Sequence, residues 1–250
     1  YYDDNIINIV KDININKINK NKIFNNGNIE PDSFEQFIDY LIRYEITKLR
    51  NNQFNDIRTE VMINEISTDN SIECQYIEDS YLKMQNNICS FVDVLNVSIS
   101  HSLWFGENDK IKYINYKNVI INKQTHEIII DYVKEKINNK ENILLNPGVG
   151  NKYLGISADA DLIIDNELID IKINRTAGLN INDFIQLLIY ASLYYLNSNI
   201  ICEKLSIYNP ILGNENYINI NINIIKKFIS VLENYNIGNQ FENNNLEEDF

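Results

Sequence analysis

Apolar positions recur along the chain with two spacings, and each predicts a different element. From Ser33 to Arg50, SFEQFIDYLIRYEITKLR sets Phe34, Phe37, Ile38, Leu41, Ile42 and Leu49 on one side of a 3.6-residue period, with Ser33 as the N-cap of the helix this predicts. The same kind of pattern predicts helices over Tyr76 to Val97, THEIIIDYVKEKINNK, LNINDFIQLLIYASLYYLNS and NIIKKFISVLENY. Strands are predicted in RTEVMINEI, in KENILLNPGV, where Pro147 and Gly148 end the run, and in ICEKLSIYNP. The Asn- and Lys-rich residues 1–32 read as an irregular or weakly helical lead-in, 33–238 as one domain of mixed α/β (α+β) type, and 239–250 as an acidic mobile tail.

One stretch breaks the rule that apolar strands reject charge: ADADLIIDNELIDIKIN, residues 158–174. Asp165 and Asn166 tolerate the positive φ of a tight hairpin turn. With that pair as the turn, residues whose numbers sum to 331 face each other. Leu162 then opposes Ile169 and Ala160 opposes Ile171 on an apolar face, while Asp161 opposes Asp170 and Asp159 opposes Lys172 on the other. Two carboxylates about 4.5–5.5 Å apart at their Cβ atoms repel unless a cation lies between them. Mg²⁺ or Mn²⁺ meets that need, because hard cations take carboxylate oxygens and keep several waters. A second anomaly is Glu45, which falls near the middle of the apolar stripe of the Ser33 helix, where a carboxylate must be paired, hydrogen-bonded or metal-bound. Pairing with a Lys or Arg is the ordinary reading. Should Glu45 prove to be so paired, Asp39 or Glu35 on the same helix is the acid to seek.

Composition narrows the function classes. A net charge of −13 argues against a protein wrapped broadly on nucleic acid, but not against a nuclease, whose metal-binding carboxylates add negative charge. Three scattered cysteines, Cys74, Cys89 and Cys202, supply neither a disulfide framework nor the four thiolates of an iron–sulfur cluster, and a reducing interior is expected. No apolar run reaches the roughly 20 residues of a bilayer span, and no basic leader followed by an apolar run is seen, so a soluble intracellular protein with no membrane partner is expected. His101 and His126 have no second ligand at metal spacing and read as structural, and Trp104 reads as a core anchor at a loop base.

Taken together, Asp161, then Asp170-Ile171-Lys172, then Gln186-Leu187-Leu188-Ile189-Tyr190 on the following helix resemble the PD-(D/E)XK nuclease superfamily, the restriction-endonuclease-like fold. The Q-x-x-x-Y spacing of Gln186 and Tyr190 is similar to that of its RecB-like exonuclease branch. The resemblance covers about Asn146 to Leu196 and departs from the family pattern in lacking the Pro before the first acid. It implies a mixed β-sheet flanked by helices and a Mg²⁺- or Mn²⁺-dependent deoxyribonuclease of DNA repair, recombination or defence. It also implies that Asp161, Asp170, the Ile171 carbonyl and Glu45 hold the metal while Lys172 orients the attacking water. Gln186 and Tyr190 would support Lys172 or the DNA strand, Asp159 would be a supporting group or alternative ligand, and Arg175 would meet a phosphate. A nuclease-like fold that binds nucleic acid or protein without cleaving is the runner-up.

Overall fold

A computed structural model describes residues 13–23, 31–66, 72–104, 123–173 and 180–247. Among them, six strands form one mixed sheet and seven helices cover it. The first described element is β1 (Asn16–Asn19), and among the described residues it is followed by the helices α1 (Pro31–Leu49), α2 (Ile57–Ile66), α3 (Ile72–Gln85), α4 (Phe91–Trp104) and α5 (Lys123–Ile137). Next come β2 (Ile143–Leu145), the hairpin strands β3 (Leu162–Ile164) and β4 (Glu167–Ile171), and α6 (Ile181–Ser198). The chain closes with β5 (Lys204–Asn209), β6 (Asn214–Asn219) and α7 (Ile222–Glu247). The sheet order is β1-β6-β5-β4-β3-β2; β4 and β5 are parallel, joined by the α6 crossover, and every other pair is antiparallel.

Two cores lie on the two faces. On one, Leu162, Ile164, Ile169 and Ile171 pack with residues of α1 to α5, including Phe37, Leu41, Val97 and Ile129. On the other, Ile163, Leu168, Leu205 and Ile218 pack with α6 and α7 through Phe184, Leu188, Ile225 and Phe228. The hairpin register is the expected one: Leu162 faces Ile169 and Ile163 faces Leu168 across Asp165 and Asn166, with Asp165 at φ 50°. Asp165 also accepts the Asn142 N–H at 2.9 Å, tying the turn to the entry of β2. The face assignment fails before Leu162, where the ladder ends. Ala160 joins the core of Ile163 and Leu168 rather than that of Leu162, because the ladder ends at Leu162 and the chain bends at Asp161.

Several expected elements differ. RTEVMINEI belongs to helix α2, not to a strand: Asp56 Oδ1 accepts the N–H groups of Arg58 and Thr59, both at 3.1 Å, and the buried Thr59, Met62 and Ile63 make a helical stripe. The single helix expected over 76–97 is two, broken where Asn87 turns to φ 57° and restarted at Ser90, whose N–H and hydroxyl both donate to Asp93 at 2.7 Å. Within the expected lead-in, Asn16–Asn19 is an edge strand on β6. It is held close: Lys20 N–H donates to Gly213 O at 2.8 Å, and a Cβ on Gly213 would meet Lys20 O at 2.6 Å. Helix α1 begins at Pro31, so Ser33 lies in its first turn rather than at its cap, and α7 continues through Glu247, into the expected tail. Trp104 is 38% exposed, with its indole N–H on Glu65, rather than a core anchor. No helix among the described residues is long and apolar enough to cross a membrane.

Beneath α5, a buried charge group ties the helix to the sheet. Lys136 donates at 2.8 Å to both Glu167 and the fully buried Glu215, and Lys204 meets Glu167 at 2.9 Å. Without Lys136, two buried carboxylates share the single ammonium of Lys204, which reaches Glu215 only at 3.4 Å, so Lys136→Ala is expected to cost about 3 kcal/mol in urea unfolding. A loss under about 1 kcal/mol would show that the group adjusts to the change.

Candidate active site

The open end of the β3–β4 hairpin is where strand pairing stops and side chains take over. Past Leu162 the chain bends, and the Asp161 carboxylate, in place of a backbone carbonyl, accepts the Ile171 N–H at 2.7 Å. The Asp161 carbonyl accepts the Asn146 N–H at 2.8 Å, which fixes the bend. Ile169 and Ile171 are anchored in the core under α1, so alternation turns the intervening Asp170 and the following Lys172 away from it. The first turns of α1 reach the same end from above. Glu35 Oε2 accepts the Ile173 N–H at 2.7 Å, and its other oxygen lies 3.7 Å from Lys172 Nζ.

These groups border a cleft of about 330 Å³, lined by Glu35, Asp39, Arg43, Asp159, Asp161 and Lys172, with Arg58 and Tyr190 also on its wall. Its carboxylates are crowded. Asp170, buried and beside Asp161, is pushed up to about 8, first by burial and then by the Asp161 charge, against the pull of Lys172. Burial likewise raises Asp161, although the Ile171 N–H and Lys172 oppose it. Asp39 is pushed up to about 7 by burial, with Arg43 opposing and Asp161 reinforcing. Burial works against the Lys172 charge, but Asp170, Glu35 and Asp161 outweigh it and hold the ammonium protonated above its ordinary range.

Two oxygens mark unmet demand. Asp170 Oδ2 and Asp39 Oδ1 are buried without a hydrogen bond, and the Lys172 ammonium, 3.1 Å from Asp170 Oδ2, lies outside hydrogen-bond geometry. Buried polar atoms are rarely left so. Among the described residues no three His, Cys, Asp or Glu side chains already converge as a cage. The set of Asp161, Asp170 and a nearby Glu35 fits a hard divalent cation that keeps several of its own waters, the habit of Mg²⁺.

The structure thus brings Asp159, Asp161, Asp170, Ile171, Lys172 and Tyr190 to one place, with Gln186 Nε2 donating to Tyr190 Oη at 2.5 Å along one face of α6. Arg175 lies outside the described residues. Asp159 does not face Lys172 as the register implied; its carboxylate pairs with Arg58. Glu45 is not brought to the cleft: buried, it takes a hydrogen bond from His126 Nε2 at 2.8 Å. The reason is axial distance. Ten residues separate Glu45 from Glu35, roughly 15 Å along a helix. Glu35 and Asp39 stand where an upstream acid was sought, and with Arg43 they form a line at four-residue spacing, a stripe readable in the sequence. Arg43 links Asp39, at 2.5 Å, to the helix-capping Asp56, joining α1 to α2; nothing local in the sequence announces that long-range bridge.

No family model matches the chain, and neither the curated proteins nor the solved structures contain one significantly similar to it.

Proposed function

We propose that the protein is a divalent-metal-dependent nuclease that hydrolyses phosphodiester bonds of DNA, of the PD-(D/E)XK kind its motifs resemble, and that it serves repair, recombination or defence against foreign DNA. The observation that carries this reading is the meeting of Asp161, Lys172 and Glu35 at one cleft, with Asp170 buried directly behind Lys172 and its Oδ2 in an ion pair but in no hydrogen bond. Asp161, Asp170 and the Ile171 carbonyl would hold Mg²⁺ or Mn²⁺, with Glu35 reaching it directly or through water. A bound cation supplies charge stabilisation on the non-bridging oxygens and a more acidic water. Lys172, kept as an ammonium by its carboxylate neighbours, is a donor and not a base; it orients the attacking water and a phosphate oxygen. Water would add to phosphorus in line and give up a proton to solvent, the P–O bond opposite would break, and the leaving oxygen would take up a proton from solvent. Tyr190, held by Gln186, braces the wall beside Lys172.

The test uses end-labelled linear DNA and closed circular DNA, with an RNA arm, in Mg²⁺, Mn²⁺ or chelator. Cleavage of DNA with a divalent ion and none in chelator is expected. Cleavage unaffected by chelator would overturn the reading, and metal-supported binding without any cleavage would favour a non-cleaving nucleic-acid-binding module instead. Binding itself should be poor in chelator, where bare carboxylates repel phosphate, and should rise with Ca²⁺ at fixed ionic strength.

The two α1 acids separate cleanly in the same assay. Glu35→Gln is expected to slow cleavage by about a hundredfold with unfolding little changed, since its carboxylate borders the metal ligands. Glu45→Gln, which touches His126 and not the cleft, should leave cleavage near wild type. The reverse pattern would restore Glu45 to the site.

A further inference from the structure

Three cations line the cleft among the described residues, and two are committed. Arg43 is buried between Asp39 and Asp56, and Lys172 lies against Asp170 and Glu35. Arg58 differs. Its side chain is 38% exposed, and its ion-pair partner Asp159 is 31% exposed. Both main chains beneath this pair are fixed. Arg58 opens α2, with its N–H on the capping Asp56 at 3.1 Å. Asp159 pairs with Gly148, and its neighbours Ala158 and Ala160 bond back to the 147–150 segment. That clamp is tight, because a Cβ on Gly150 would meet Ile156 O at 2.7 Å. Only two half-wet side chains are left to rearrange. A guanidinium–carboxylate pair still about a third open to water is held less firmly than a buried one, whereas a guanidinium takes phosphate bidentately through charge-assisted bonds.

We infer that Arg58 is a phosphate-binding residue of the cleft and that Asp159 occupies its guanidinium when no substrate is present, in the place of a phosphodiester's oxygen pair. The inference rests on the nuclease reading and adds to it a built-in competitor. Phosphate entering the cleft displaces Asp159 from Arg58, so Asp159 weakens binding of DNA rather than serving as a metal ligand.

The experiment is equilibrium binding of labelled duplex DNA in Ca²⁺, across a salt series, for the wild-type protein, Arg58→Ala, Asp159→Asn and the double variant, with thermal melting of each. Arg58→Ala should weaken binding about tenfold and flatten the slope of log K against log salt by about one, the signature of one lost phosphate contact. Asp159→Asn should tighten binding severalfold, and that gain should vanish in the Arg58→Ala background. Should the alanine variant not fold, Arg58→Gln, which removes the charge but keeps a long polar side chain, carries the same comparison. Wild-type affinity and slope in a folded Arg58 variant, or an equal gain from Asp159→Asn with and without Arg58, would overturn the inference alone. A wild-type protein that binds no DNA with any divalent ion would overturn the nuclease reading and the inference with it.

Discussion

Asp170→Asn is expected to stabilise the metal-free protein by about 3 kcal/mol at pH 8, and to abolish cleavage. Asp170 rises from an ordinary 3.8 to about 8 on folding, through burial and then the neighbouring Asp161. Between those values the folded chain binds more protons than the unfolded one. Metal-free stability therefore falls as pH climbs from about 4 to 8, and Asp39, raised to about 7, steepens the fall. Each unit is worth about 1.4 kcal/mol, which gives Asp170 a destabilising effect of about 3 kcal/mol at pH 8 once its coupling to Asp161 is allowed for. The neutral amide removes it, so the gain over wild type should be small near pH 4 and largest at pH 8. A divalent ion reverses the comparison by stabilising the wild type through mass action. Because the ion displaces a proton, its affinity for the wild type should rise between pH 6 and 8. Urea unfolding at several pH values, with and without Mn²⁺, reads all of this. A wild-type curve that tracks the asparagine variant at every pH would mean that these carboxylates are not strained without metal.

The hairpin was legible in the sequence because its signals are local. An Asp-Asn turn and period-two alternation fix which residues face each other, and the observed register follows them from Leu162 to Glu167. The site itself was legible in part for the same reason: Asp161, Asp170 and Lys172 are set by one turn. What failed depends on distance along the chain. Glu45 was conspicuous on the helical wheel, yet a wheel shows angle and hides the axial offset that puts Glu45 against His126 and Glu35 at the cleft. RTEVMINEI alternates well enough for a strand, but the preceding Asp56 caps it as a helix, and Arg43 on α1 then locks that cap. The edge strand Asn16–Asn19 was hidden by composition, since Asn-Ile repeats with few strand formers on one face resemble drift until β6 pairs with them. The Arg58–Asp159 pair joins residues 101 apart in sequence, and no periodicity predicts such a contact.

Lys172→Ala is the change expected to separate binding from chemistry. The Lys172 backbone N–H bonds to Tyr208 O at 3.0 Å, and neither side-chain core depends on the ammonium, so the β4–β5 pairing and the fold should persist. Among the described residues the ammonium's ion pairs are with Asp170 at 3.1 Å and Glu35 at 3.7 Å. On the proposed reading its removal would take away the donor that orients water and offsets charge on the phosphate, a loss worth about 10²–10³ in rate for a single positioned donor, and more where the donor is also charged. Cleavage in single-turnover assays at pH 8 with Mn²⁺ should therefore fall at least about a thousandfold. Ca²⁺-supported DNA binding should remain within a few fold of wild type, because on the proposed reading Asp161 and Asp170 would still hold the cation and Arg58 would still meet the strand. Without the lysine's charge, Asp170 keeps its proton to higher pH, so metal binding should also shift toward the alkaline side. Lys172→Arg restores charge but brings a bulky planar fork into a half-buried position built around a compact ammonium, and should recover little activity. Wild-type cleavage by a folded Lys172→Ala protein would remove the lysine from the chemistry, and the nuclease assignment of the hairpin would go with it.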